Sequence, residues 1–68
     1  MPREKPSHIL KYFGYKHLPV NLQPISQAFY TLADEMDAQL PDCAEKSSGL
    51  RKLLEAKDCM VRAALETK

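Results

Sequence analysis

Pro41 leaves this chain few ways to fold. On each side of it lies a run whose apolar residues repeat with helical period, and almost no chain remains to join them. Ile25, Phe29, Leu32, Met36 and Leu40 step by four, three, four and four, which is one face of a helix. Asn21 suits the N-cap, and Pro24 falls in the first turn, where its missing N–H costs little. The first helix is therefore expected from about Leu22 to Leu40, with Pro41 ending it. Asp42-Cys43-Ala44-Glu45 then has the form of a capping box, Asp42 as N-cap and Glu45 at N3. A second helix is expected from Cys43 to about Glu66. A link of one or two residues forces the two helices antiparallel, as an αα-hairpin.

The second helix is too apolar for a hairpin alone. Leu50, Leu54, Val61 and Leu65 define one stripe, with Lys57 in line with it; Gly49, Leu53, Ala56, Met60 and Ala63 define another beside it. One partner helix covers only one stripe, so the other needs the N-terminal segment, neighbouring subunits or both. The opposite face carries Arg51, Glu55, Asp58, Arg62 and Glu66. Its Arg51–Glu55 and Asp58–Arg62 spacings suit i,i+4 pairs worth about 0.3–0.5 kcal/mol each.

Size sharpens the point. A chain of 68 residues is one small domain, whose core supplies little net stability. A disulfide is not the staple: Cys43 and Cys59 sit on one helix, roughly 24 Å apart at 1.5 Å per residue. They read as free thiols in a reducing compartment. No metal is expected, because His8 and His17 have no cysteine pair at ligand spacing. By elimination, self-association is expected to supply the rest.

Met1 to Ser7 is polar with two prolines and reads as a loose end. His8 to Leu18 is apolar and aromatic without a clean period, an arm with a short helical turn at 8–13. Residues 1–20 thus form the arm and residues 21–68 the hairpin domain. Net charge is +1, too small to favour long nucleic acid. The arm, however, carries Arg3, Lys5, Lys11 and Lys16 against Glu4, and the first helix carries Asp34, Glu35 and Asp37 with no base. That acidic cluster reads as a solvated face. No run has the length of a membrane span or signal core, so a soluble cytosolic protein is expected.

No catalytic constellation is visible. The two glycines make no phosphate loop, and the acidic cluster has no cleft to shift its pKa values. Cys43 sits at a helix N-terminus without a neighbouring histidine, which suits a structural role. What stands out is Phe13-Gly14-Tyr15-Lys16-His17. Aromatic rings stack on bases, a lysine meets phosphate as a point charge, and glycine admits close backbone approach. The same residues also suit an arm that simply packs over the hairpin, and both readings stand.

The run PDCAEKSSGLRKLLEAKDCMVRAAL resembles the helical-hairpin domain of phage anti-CBASS cyclic-oligonucleotide sponges, shared with one family of anti-Thoeris sponges. The matching positions are Pro41, Glu45, Lys46, Ser47, Leu50, Lys52, Leu53, Glu55 and Ala56, with Leu32-Ala33 in the first helix. Phe13 to Pro19 resembles that family's aromatic-x-Tyr-His-Pro arm with small insertions. The likeness covers about residues 13–65. It implies a homo-oligomer, often a hexamer, that holds cyclic di- or trinucleotide immune signals between protomers and does not cleave them. Tyr15 matches the stacking tyrosine; Tyr30 stands where the family's phosphate lysine is expected, leaving Lys16 to supply charge. Leu32 stands at the threonine of the trinucleotide site, and Arg62 lies one turn before the place of its arginine.

The expectation is an all-α protein, an arm followed by an antiparallel two-helix hairpin, oligomeric through the second helix. Its expected ligand-binding residues are Phe13, Tyr15, Lys16, His17, Tyr30 and Arg62. It needs no cofactor, is not an enzyme, and works in the cytoplasm of the infected bacterial host as a cyclic-nucleotide sponge. The rival expectation is a small helical interaction module that binds a protein partner and no nucleotide. A weaker third is DNA or RNA binding by the basic arm, which salt would abolish.

Overall fold

The computed structural model describes residues 6–66, and these are all-helical, with no strand among them. A 3-10 helix spans His8–Phe13, α1 spans Gln23–Gln39 and α2 spans Ala44–Glu66. The two long helices pack as a hairpin, and the 3-10 helix packs against both. At 1.5 Å per residue α1 is about 26 Å long and α2 about 35 Å. The longer helix therefore outruns its partner and leaves Met60 and Leu65 exposed. No helix among the described residues is long and apolar enough to cross a membrane.

The boundaries follow local chemistry. Leu40 is extended, at φ −108° and ψ 148°, as the residue before a proline prefers. α1 thus ends one residue before the sequence suggests. Its start differs too: Leu22, not Asn21, holds the N-cap position, without a side-chain cap bond. A turn does the capping instead, through Leu22 N–H to Pro19 O at 2.9 Å and Gln23 N–H to Pro19 O at 3.2 Å. The expected capping box also fails. Asp42 Oδ1 accepts from Lys46 Nζ at 2.6 Å instead of capping the first turn of α2.

The buried seam of α1 is not its most apolar stripe. Leu22, Ser26, Ala33 and Asp37 are buried, whereas Leu32 and Leu40 are 43% and 48% exposed. Leu10, Phe13, Ala33 and Leu50 form the core, with Ile9, Phe29, Tyr30, Leu53 and Leu54 packed around them. Phe13 is 0% exposed, and burying such a ring contributes about 1.5–3 kcal/mol. Small Ala33 lets that ring come close to α1. The stripe of Leu32, Met36 and Leu40 instead lines an apolar groove with Cys43, Gly49 and Leu53.

Two further expectations change. Arg51–Glu55 and Asp58–Arg62 pairs do not form: Asp58 pairs with Lys57 at 2.9 Å, and Arg62 Nη2 donates to Cys59 Sγ at 3.4 Å. Asp37 is not part of a solvated face; it is 1% exposed. Cys43 and Cys59 are both free and exposed. Of the loose end expected over Met1 to Ser7, residues 1–5 lie outside the described residues, and Ser7 is held firmly.

Candidate functional site

The segment ahead of α1 is fastened at both ends by side chains from that helix. At its start, Ser7 N–H donates to Asp37 Oδ2 at 2.9 Å, and Ser7 Oγ donates to Asp37 Oδ1. At its end, Gln23 Nε2 donates to Leu18 O at 2.9 Å and to Lys16 O at 3.4 Å. Between these ties Leu10 and Phe13 sink into the core. Gly14 then turns extended, and Leu18 N–H closes a turn on Tyr15 O at 3.0 Å. Tyr15, Lys16 and His17 are thereby displayed on a short, anchored span.

Asp37 is itself held from α2. Lys46 Nζ lies 3.0 Å from Asp37 Oδ1 and donates to Asp37 O and Leu40 O, both at 3.1 Å. Those two carbonyls sit at the C-terminal end of α1, where acceptors lack intrahelical donors and cations are favoured. One ammonium thus closes the hairpin, caps α1 and neutralises the carboxylate that grips Ser7. Its pKa is raised, first by the hydrogen bond to Asp42, with Asp37 adding and burial opposing.

The structure brings four of the six expected site residues together. Tyr15, Lys16, His17 and Tyr30 line one concavity of about 480 Å3 with Gly14, within the size range of small-molecule sites. The Tyr15 and Tyr30 rings lie 5.9 Å apart between centroids, tilted by 58°. Both are half-buried, while Lys16 and His17 are exposed. A tilted pair of tyrosine rings in mutual contact therefore stands beside a lysine and a histidine.

The other two lie elsewhere. Phe13 cannot wall this concavity, because its ring fills the core behind it. Arg62 lies on the far part of α2, occupied with Cys59, and lines neither this concavity nor those beside it. Sequence reasoning missed the scaffold: Ser7, Gln23, Asp37 and Lys46. A signal for Asp37 was present, since Leu22, Ser26, Ala33 and Asp37 recur at steps of four, seven and four. Their mixed polarity hid it.

Comparison with protein-family models, with curated proteins and with solved structures finds no match.

Proposed function

We propose that this protein is a phage immune-evasion sponge, a homo-oligomer that sequesters a cyclic oligonucleotide signal in the host cytoplasm without cleaving it. The observation that carries this reading is the convergence of Tyr15, Lys16, His17 and Tyr30 on one concavity. Tyr15 stacks on a base, and Tyr30 supplies a second aromatic wall. Lys16 and His17 meet phosphate. The resemblance of the hairpin run to anti-CBASS sponges supplies the ligand class and the hexameric assembly.

Native mass spectrometry of the pure protein, alone and with a panel of cyclic di- and trinucleotides, tests it. The expected result is a defined oligomer that takes up one ligand in fixed ratio and returns it unmodified. Tyr15→Ala should keep the oligomer and weaken binding about 5- to 150-fold, the loss of one stacked base at roughly 1–3 kcal/mol. Full binding by that variant removes the site. A second reading is favoured by the apolar groove of Leu32, Met36, Leu40, Gly49 and Leu53: a helical interaction module for a protein partner. Indifference to every nucleotide in the panel would select it.

A further inference from the structure

The concavity of Tyr15 and Tyr30 does not end at Gly14. A second one, of about 490 Å3, adjoins it and shares both Gly14 and Tyr30. Its other walls include His8, Lys11 and Leu10. The two make one trough, with Lys16 and His17 at one end and Lys11 and His8 at the other. No carboxylate lines either half among the described residues. In a chain with ten Lys and Arg against nine Asp and Glu, a trough edged by two lysines and two histidines, with no carboxylate in its lining, is a local departure from the average.

The second pair of basic groups is braced. The His8 ring meets Tyr12 edge-on with centroids 6.2 Å apart, and Lys11 Nζ lies 5.2 Å from the centre of the same ring. Tyr12 is 54% exposed, so it serves these contacts from the surface and not from the core. Neither Lys11 nor Lys16 is in an ion pair among the described residues, and both are exposed. Asp37, the buried acid near the start of the segment, is turned to Ser7 and Lys46. No ion pair among the described residues therefore neutralises either lysine, and Lys11 leans on the face of Tyr12.

We infer that His8 and Lys11 form a second anion station of the same site, so that the trough takes a ligand with two phosphates flanking a planar base. This rests on the proposed nucleotide-binding reading and sharpens it: the ligand is a dinucleotide, and a mononucleotide fills only half the trough. Both stations come from one chain. The glycine between them keeps the floor low, and Tyr30 is common to both halves.

Calorimetric titration with cyclic di-AMP and cyclic GMP–AMP, against cyclic AMP, tests this. The protein should bind at least one of the dinucleotides at least tenfold more tightly than the mononucleotide. The His8→Gln/Lys11→Gln variant should lose that tenfold advantage while its affinity for the mononucleotide stays within twofold. Both side chains are exposed, so the fold is not at stake, and an unchanged circular-dichroism melt verifies it. Tyr15→Ala should weaken both ligand types. If the double variant binds the dinucleotides like the parent while Tyr15→Ala does not, the second station is refuted and the sponge reading stands. If the parent takes up a cyclic trinucleotide but neither dinucleotide, the second station is refuted and the sponge reading stands; if it binds no cyclic nucleotide of either size, both fall together.

Discussion

Asp37→Ala should be among the most damaging single changes outside the apolar core. The carboxylate is 1% exposed and accepts from Ser7 N–H, Ser7 Oγ and Lys46 Nζ. Removing one partner of a buried ion pair typically costs about 3–5 kcal/mol, because the other charge is stranded. Here Lys46 keeps Asp42 at 2.6 Å and two carbonyls, so the expected loss sits at the low end, about 3 kcal/mol. A 68-residue domain holds roughly 3–10 kcal/mol in total, so the change removes a third or more of it. At 4–8 °C per kcal/mol for a domain of this size, Tm should fall by about 12–24 °C. The assay is a thermal melt by circular dichroism, with Glu35→Ala as comparison. Glu35 is exposed, and its replacement should cost less than about 0.5 kcal/mol. If the two variants melt within about 3 °C of each other, Asp37 is a surface acid after all, and the account of how the segment is fastened is wrong.

The remaining predictions concern single side chains. Ser26 Oγ is fully buried with no hydrogen-bond partner, so Ser26→Ala should stabilise by about 1 kcal/mol; a lower urea midpoint would show an unseen partner. A Cβ at Gly49 would meet nothing within 4 Å, so Gly49→Ala should gain about 0.5–1 kcal/mol of helix stability, read as a higher Tm of the isolated protein. If α2 is the assembly seam, the same variant should also weaken the oligomer on size exclusion. The raised pKa of Lys46 means its folded state holds the proton more tightly than the unfolded state. Its contribution is therefore fully present below the unfolded-state value and is lost as pH climbs through the folded-state one. The Tm gap between the parent and Lys46→Met should stay constant to about pH 10 and narrow above it; a gap that widens there would refute the pairing.

The helix pair was legible because its signals are local. Pro41 forces Leu40 extended, and the apolar repeats on each side are long enough to specify helices. The turn at 8–13 was expected without a clean period, and the structure has a 3-10 helix there. The seam between the elements was not legible. Ile25, Phe29, Leu32, Met36 and Leu40 make the stronger apolar pattern, yet burial follows Leu22, Ser26, Ala33 and Asp37. Packing decides it: Ala33 shares the core with Phe13, Leu10 and Leu50, and a small residue there leaves room for the bulky ring. Asp37 and Lys46 each look like surface charges until the turn folds them together. Tyr15, Lys16, His17 and Tyr30 were grouped by residue type and share one concavity, whereas Phe13 turns into the core, because composition does not tell which way an aromatic ring faces.

The ties around Asp37 also set an order of events. Lys46 reaches Asp37 across nine residues, whereas Ser7 reaches it across thirty. The longer closure costs about 1 kcal/mol more chain entropy, and it docks onto a surface that exists only once the helices have met. The hairpin should therefore form first, and the segment bearing Tyr15 should dock last and detach first. Native-state amide exchange reads this directly: Leu10 and Leu18, bonded to Ser7 O and Tyr15 O, should exchange through a cheaper opening than amides in mid-α1. Equal protection would mean one all-or-none unit. With the cheaper opening, the segment bearing Tyr15 can detach and dock again many times within the lifetime of a single folded hairpin, and a ligand held there as proposed would leave on that clock without the scaffold ever unfolding.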